Sequence, residues 1–188
     1  KYTKLEGGVG AVATASGQSA ILYAVLNLCK AGDHIISVTS LYGGTVNLFN
    51  VHLKNLGIEV SFVEPDASEE EILSLAKENT KAIYGETIGN PGLNILDFDK
   101  FSSVAKKIQV PLIIDNTVAT PYHCNPFEHG ANIVVHSTTK YSEGHAQTIG
   151  GIVVDGGNFD WTNGKFNDFT TPDPSYHGLK YVESFGQA

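Results

Sequence analysis

The sequence contains no arginine and no methionine, and it has only two cysteines. All twelve positively charged side chains are lysines, and twenty acidic residues outnumber them, so the net charge is -8. A nucleic-acid-binding surface needs a basic stripe that neutralises phosphates, and this balance argues against one. Cys29 and Cys124 are too few for a disulfide framework. They indicate free thiols in a reducing compartment, by default the cytoplasm.

Long apolar runs are also missing, because none approaches the roughly 20 residues that a membrane-spanning helix requires. The lack of methionine indicates that the chain does not begin at a natural start. Its first residues, KYTKLEGG, are typical of a helix end that is closed by Gly7 and Gly8. We therefore expect a piece of a longer polypeptide in which residues 1–188 form one large domain.

Helix and strand signals alternate along the chain. Helices are predicted at 17–32, 43–57, 68–79 and 99–108, and the third begins with a capping box formed by Ser68 and Glu71. Short apolar runs predict strands at 34–40, 58–65, 81–88, 110–117, 131–137 and 148–155. Runs such as LIID and IVVH are apolar at consecutive positions, which suits strands that are covered on both faces. The sequence therefore predicts an α/β fold, a three-layer α/β/α arrangement with a mostly parallel central sheet. The turn-rich segment 156–178 is expected to be an ordered loop.

Polar clusters follow several of the predicted strands, and in open α/β sheets ligands gather at the carboxyl ends of the strands. The predicted helix at 17–32 starts after Ser16, a good N-cap. The free N–H groups of Gly17 and Gln18 could hold a phosphate there, although plain capping would also explain these residues.

Asp115 and Lys140 stand at the ends of two apolar strands. A carboxylate at such a place either caps the following turn or holds a cationic ring nitrogen, as aspartates do for pyridoxal phosphate. A lysine there becomes a nucleophile or base when its surroundings lower its pKa. Together a helix N-terminus, a carboxylate and a lysine match the three contacts that pyridoxal phosphate needs, at its phosphate, its pyridinium nitrogen and its aldehyde carbon.

Histidines and cysteines raise the alternative of a zinc site, since His123, Cys124 and His129 fall close together. No CxxC pair and no HExxH spacing is present, so we expect no metal. His136, on an apolar strand, is predicted to be a satisfied core residue.

The sequence resembles the Cys/Met-metabolism family of pyridoxal-phosphate enzymes from about residue 5 to residue 180. The resemblance is carried, in the family's order, by LEGGVGAVATASGQSA, SLYGGTVNLF, ETIGNP, PLIIDNTVATPY, HSTTK and IGGIVVD. It implies the large domain of a fold-type I transferase. The branch it most resembles makes homocysteine from O-acetylhomoserine and sulfide by γ-replacement. Cystathionine γ-synthase or methionine γ-lyase activity are alternatives, although lyases often carry a cysteine where this chain has Gly44. A non-catalytic module kept for assembly is a further alternative.

Roles for individual residues follow from the resemblance. Lys140 would form the Schiff base with the cofactor, and Asp115 would pair with its ring nitrogen. The backbone of Gly17 and Gln18 would bind the phosphate. The remaining expected contacts are Ser16, Ser137 and Thr139 at the phosphate, Tyr42 stacked on the ring and assisting the leaving group, Asn90 at the ring hydroxyl with Glu86 nearby, and Thr117 under the ring. From the residues alone, Tyr42 is more typical of a half-buried aromatic in a turn, Asn90-Pro91 is by default a turn signal, and Glu86 is equally compatible with a structural role.

Two features depart from the family. The segment after the lysine often reads GGHG there, whereas this chain has Glu143, Gly144, His145 and Ala146. The arginines that grip phosphate and substrate carboxylate lie, in the family, in an N-terminal arm of a neighbouring subunit and in a C-terminal domain. Neither segment is expected within 1–188. We expect the full-length protein to be a homo-oligomer, a dimer of dimers, and the piece alone to turn over little.

Overall fold

The structure is a computed structural model that describes residues 1–145 and 147–186. These residues build a seven-stranded mixed sheet with the order β1-β7-β6-β5-β4-β2-β3. The strands are β1 Gly10–Thr14, β2 His34–Val38, β3 Glu59–Val63, β4 Thr80–Glu86, β5 Leu112–Asp115, β6 Ile133–His136 and β7 Gly151–Asp155. The α-helices are α1 Tyr2–Glu6, α2 Gly17–Leu28, α3 Gly43–Asn47, α4 Glu69–Ser74, α5 Phe98–Lys107, α6 Thr120–His123, α7 Asn167–Thr170 and α8 Tyr181–Phe185. A π-helix, Leu48–Leu53, continues α3, and short 3-10 turns lie at Pro126–His129 and Pro174–Tyr176.

The sheet is parallel except for β7, which runs antiparallel to β1 and to β6. The strand order reverses after β3, and crossovers between parallel strands are right-handed, so successive helices are distributed over both faces. In agreement, α2 packs against α3, whereas α4 packs against α5. The predicted three-layer α/β/α fold with a mostly parallel sheet is confirmed.

The central strands form the core because they carry apolar, β-branched side chains on both faces. Ile83, Leu112, Ile113, Val134 and Val135 are almost fully buried. Helix α5 closes one face, with Phe101 and Val104 buried against the sheet. This packing fixes the carboxyl ends of β4, β5 and β6 side by side.

Several local predictions are confirmed. Gly7 ends α1 in the left-handed conformation, with φ 78°. Ser68 and Glu71 form both hydrogen bonds of the capping box at the start of α4. The segment 156–178 is ordered around a cluster of rings in which Trp161 lies 5.2 Å from Phe166, centroid to centroid.

Two predicted helices are shorter than expected, and one strand was missed. Helix α2 ends at Leu28 instead of residue 32, because Asp33 accepts a hydrogen bond from the Lys30 N–H and Gly32 turns the chain with φ 94°. Helix α4 ends at Ser74 instead of residue 79, and Thr80 Oγ1 then accepts from the Lys77 N–H at 2.8 Å. Strand β1 is an exposed edge of small residues that pairs with β7, so its local pattern gave no strand signal.

Candidate functional site

The carboxyl ends of β4, β5 and β6 meet the N-terminus of α2 and the loop before α3, and the predicted site residues lie there. Glu86 and Asp115 are register partners at the ends of β4 and β5. Ser137 follows β6 directly, and Tyr42 precedes α3. Parallel strands bring these positions to one edge of the sheet although they are far apart in the sequence.

The N-terminus of α2 packs directly on the end of β6. The Ser16 side chain caps the helix, since its Oγ accepts from the Ser19 N–H at 3.1 Å. A Cβ added at Gly17 would lie 2.5 Å from Ser137 Cβ and 2.8 Å from Ser137 Cα, so a side chain there would collide with fixed backbone. The first-turn N–H groups of a helix have no acceptor within the helix. Those of Gly17 and Gln18, at the end of α2 that contacts Ser137, are therefore available to an anion.

Asp115 is held by Thr117 and Tyr84. Asp115 Oδ1 accepts from the Thr117 N–H at 2.9 Å, and the Tyr84 hydroxyl lies 3.4 Å from Oδ2. Thr117 Oγ1 in turn accepts from the Ser137 N–H at 2.8 Å, which ties the end of β5 to the end of β6. Burial raises the pKa of Asp115, although these hydrogen bonds and the nearby His136 lower it. A carboxylate under this desolvation is stabilised by a cationic partner.

Glu86 binds backbone amides. Its Oε1 accepts from the Tyr42 N–H at 2.8 Å, and it also bonds the Asn90 backbone. Burial raises the pKa of Glu86 to about 8, with a further contribution from the charge of Asp115. Glu86 therefore fastens the loop before α3 to the end of β4, and Asn90 itself is exposed and joined to Pro91 by a cis peptide bond.

The Tyr42 side chain borders the site and is 49% exposed. A Cβ added at Gly44 would lie 2.5 Å from Tyr42 Cε1 and 3.4 Å from the Gln18 carboxamide carbon, so the ring lies over Gly44 next to the start of α2. Gln18 Nε2 donates to Thr45 Oγ1 at 3.3 Å. The absence of a side chain at Gly44 is what allows this ring position.

Lys140 lies in the turn after β6, where its N–H donates to the Ser137 carbonyl at 3.2 Å. Its side chain is exposed and makes no ion pair or hydrogen bond with residues 1–145 and 147–186. The Thr139 hydroxyl donates to the Gly150 carbonyl and accepts from the Gly150 N–H, each at 3.1 Å. Thr139 therefore braces the loop before β7, and a role for it at a phosphate stays a prediction.

The segment that departs from the family is organised by Glu143. Its Oε2 accepts from the N–H of His145 at 2.8 Å and from the N–H of Gln147 at 3.2 Å. Ala146, the last residue of the departure, lies outside the described residues.

Sequence reasoning missed Tyr84 and a buried polar chain behind the site. Tyr84 is fully buried in an apolar strand, and its pKa is raised well above its usual value by burial and by Asp115. The signal was a single phenol among aliphatic residues, because a buried hydroxyl needs a partner. The second miss comprises Thr87, Asn116, Glu6 and His136, all buried.

Other kinds of site find little support in the described ranges. No group of three or more His, Cys, Asp or Glu side chains there could hold a metal ion. No helix among the same residues is long and apolar enough to cross a membrane. Cys29 and Cys124 are both free thiols.

The residues present fit pyridoxal phosphate. The free N–H groups of Gly17 and Gln18 beside Ser137 would form a cradle for a phosphate, and an aspartate without an ion pair among the described residues stands at the neighbouring strand end. The ammonium group of Lys140, in the turn after β6, has no hydrogen bond or ion pair with residues 1–145 and 147–186. These are the chemical complements of a phosphate, a pyridinium nitrogen and an aldehyde.

Known proteins resemble this chain over its whole length. An O-acetyl-L-homoserine sulfhydrylase of Leptospira meyeri is 55% identical over 187 residues, which cover 100% of this chain and 42% of that protein. A homocysteine synthase of Schizosaccharomyces pombe is 48% identical over 99% of this chain and 44% of its own length. The chain thus spans less than half the length of the curated relatives it matches.

Among solved structures, an O-acetylhomoserine (thiol)-lyase of Campylobacter jejuni, which carries a pyridoxyl-lysine monophosphate, superimposes with a TM-score of 0.93. It is 38% identical, over 97% of this chain and 46% of that one. The O-acetylhomoserine sulfhydrylase of Wolinella succinogenes gives a TM-score of 0.83 at 32% identity, over 99% of this chain and 50% of its own. The model of the family described as Cys/Met metabolism PLP-dependent enzyme matches residues 1–173. The chain therefore belongs to this family of pyridoxal-phosphate-dependent enzymes, as its sequence motifs predict.

Proposed function

We propose that the full-length protein converts O-acetylhomoserine and sulfide into homocysteine and acetate, with pyridoxal phosphate as cofactor. The observation that carries this proposal is the convergence of three groups at one edge of the sheet: the cradle of Gly17, Gln18 and Ser137, the partly buried Asp115, and Lys140, which has no ion pair among the described residues. The O-acetyl-L-homoserine sulfhydrylase of Leptospira meyeri, which is 55% identical to the chain, supports the choice of substrate. In the overall reaction a C–O bond at Cγ breaks, a C–S bond forms there, and acetate leaves.

Asp115 and the cradle would hold the two ends of the cofactor. The cofactor, when bound, supplies an electron sink for the carbanion chemistry of the substrate. Asp115 would hold the ring nitrogen in its positively charged form, and this charge would in turn oppose the upward shift of the aspartate pKa. Thr117 keeps the Asp115 carboxylate in place through its N–H, at 2.9 Å.

Lys140 and Tyr42 would move protons. The Lys140 Nζ atom would act as the general base that accepts the proton from the substrate Cα. The Tyr42 hydroxyl would assist departure of acetate from Cγ. The ring position over Gly44, which sets where this hydroxyl reaches, therefore bears on the choice between replacement and elimination.

The remaining binding groups are expected outside residues 1–188. Phosphate and amino-acid carboxylates are best held by a guanidinium fork, and this chain has no arginine. We propose that an N-terminal arm of a neighbouring subunit and a C-terminal domain supply them, in a dimer of dimers in the cytoplasm. The free thiols of Cys29 and Cys124 support a reducing compartment. The 188-residue piece alone should bind cofactor weakly and turn over little, and light scattering of the full-length protein would test the tetramer.

A product assay tests the proposed reaction. The full-length protein, loaded with pyridoxal phosphate, is offered O-acetylhomoserine, O-succinylhomoserine and methionine in parallel, each with sulfide. Homocysteine should form fastest from O-acetylhomoserine. Preference for O-succinylhomoserine would favour a cystathionine γ-synthase, and release of a thiol from methionine would favour a γ-lyase. No homocysteine from O-acetylhomoserine would refute the proposal.

A further inference from the structure

A chain of four buried polar side chains, which we call the Glu6 chain, runs behind the candidate site. The Thr87 hydroxyl donates to Asn116 Oδ1 at 2.8 Å, and Asn116 Nδ2 donates to Glu6 Oε1 at 3.1 Å. The same Glu6 oxygen contacts His136 Nε2. All four residues are at most 3% exposed. The Glu6 chain therefore links β4, β5 and β6 to helix α1.

Each of its members on the sheet is the direct neighbour of a predicted site residue. Asn116 follows Asp115, and His136 precedes Ser137. Successive side chains along an extended strand point to opposite sides, so the Glu6 chain holds the backbone from behind while its neighbours face the site. The Asn116 N–H also donates to the Val135 carbonyl at 3.0 Å, at the same level of the sheet.

Helix α1 contacts the lysine turn as well. The Tyr2 ring meets the His136 ring edge to face, with centroids 4.9 Å apart. The Tyr2 hydroxyl is hydrogen-bonded to Ser142 Oγ at 2.6 Å, two residues after Lys140. Glu6 and Tyr2 thus attach one short helix both to the strand ends and to the segment that carries the lysine.

The arrangement is costly for the stability of the fold. Glu6 Oε2 and His136 Nδ1 are buried and have no hydrogen-bond partner among the described residues. An unsatisfied buried polar atom destabilises the fold, and apolar side chains of similar volume often serve stability as well as a buried pair does. Stability alone therefore gives no reason for a carboxylate and an imidazole here, whereas alignment of three strand ends requires directional bonds.

We propose that the Glu6 chain is a positioning device for the cofactor site, which holds Asp115 and Ser137 at the separation that one bound ligand requires. This inference rests on the proposed function. It assigns the role to hydrogen bonds at Glu6 Oε1, which a glutamine side chain can also accept. The residues of the Glu6 chain are positioning residues, because none of them is expected to touch the cofactor.

The test compares Glu6→Gln with Glu6→Ala in the full-length protein. The Kd for pyridoxal phosphate, measured from the absorbance change on titration, should rise about tenfold or more in Glu6→Ala and less than about threefold in Glu6→Gln. In the cofactor-free protein, amide hydrogen exchange of Thr117 and Ser137 should accelerate in Glu6→Ala and not in Glu6→Gln. Should Glu6→Ala fail to fold, Thr87→Val removes the donor at the far end of the chain. It should give a smaller rise in Kd and faster exchange at Thr117.

His34 offers a matched control, because it is as deeply buried but lies at the amino ends of the strands. Its ring nitrogens bond Thr80 Oγ1 and Ser61 Oγ, both at 2.9 Å. His34→Ala should lower the thermal midpoint and leave the Kd and the exchange at Ser137 unchanged. An equal rise in Kd for His34→Ala and Glu6→Ala would overturn the inference, and so would an unchanged Kd in Glu6→Ala. If the wild-type protein binds no cofactor, the proposed function fails, and the amide exchange alone decides on the Glu6 chain.

Discussion

The contact between Gly17 and Ser137 predicts that Gly17→Ala both destabilises the fold and disrupts the site. A Cβ there would lie 2.5 Å from Ser137 Cβ and 2.8 Å from its Cα, against an ordinary contact of 3.4 Å or more. The neighbours are backbone and Cβ of a strand end, so the side chain has no flexible group to displace. Such overpacking costs about 1–3 kcal/mol. The helix preference of alanine over glycine offsets up to about 1 kcal/mol of this.

Gly43 provides a matched control for that substitution. Gly17 and Gly43 are each the first residue of a helix, but a Cβ at Gly43 would meet no atom within 4 Å. Gly43→Ala should therefore be neutral or slightly stabilising. Because both variants gain the helix preference of alanine, they differ by the overpacking cost of about 1–3 kcal/mol. Gly17→Ala should therefore have a thermal midpoint roughly 2–12 °C below that of Gly43→Ala, since about 1 kcal/mol corresponds to 2–4 °C in a domain of this size.

Thermal unfolding and cofactor titration would check both effects. In the folded fraction of Gly17→Ala, the Kd for pyridoxal phosphate should rise about tenfold, because the first turn of α2 moves away from the Ser137 hydroxyl. The reasoning is refuted if Gly17→Ala is as stable as Gly43→Ala, since the close approach of α2 to β6 would then not exist in solution.

Two further substitutions test the carboxylates of the site. Between pH 4.5 and 8 the unfolded chain has lost the Glu86 proton while the folded chain keeps it, so stability falls as the pH rises through this window. The slope is up to about 1.4 kcal/mol per pH unit. In the cofactor-free protein, the urea midpoint of Glu86→Gln should therefore rise relative to that of wild type between pH 5 and pH 8. A constant difference would show that Glu86 titrates normally. Tyr84→Phe removes the hydroxyl 3.4 Å from Asp115 Oδ2 and should raise the pKa of Asp115 further, because a donor to the ionised form is lost. Carbon-13 NMR of the Asp115 carboxyl group would measure this rise in pKa. An unchanged pKa would mean that the 3.4 Å contact between Tyr84 and Asp115 is not a hydrogen bond.

The fold could be predicted where local patterns agree with tertiary packing. Buried strands such as β5 and β6 are apolar at consecutive positions, and α4 carries its capping box in the sequence. Strand β1 was missed because it is an edge of small residues whose strand conformation depends on pairing with β7, an interaction about 140 residues away. The early end of α2 follows from the hydrogen bond of Asp33 to the Lys30 N–H. Asp33 lies after the apolar pattern that predicted the helix, so the pattern did not show this end.

The site was predictable from chemistry at the strand ends, and its supporting contacts were not. Asp115, Ser137 and Lys140 each stand out as polar residues that follow an apolar run. The partnership of Glu86 with the Tyr42 N–H depends on how the loop before α3 folds back over β4. His136 was expected to be satisfied, yet its Nδ1 atom is buried without a partner within the described residues.

Covalent trapping of the cofactor tests the central claim most directly. The full-length protein is incubated with pyridoxal phosphate and reduced with borohydride, and its peptides are then mapped by mass spectrometry. A pyridoxyl group is expected on Lys140. In Lys140→Ala, both this label and the absorbance near 420 nm should be absent. Labelling of another of the twelve lysines of residues 1–188, with Lys140 unmodified, would contradict it.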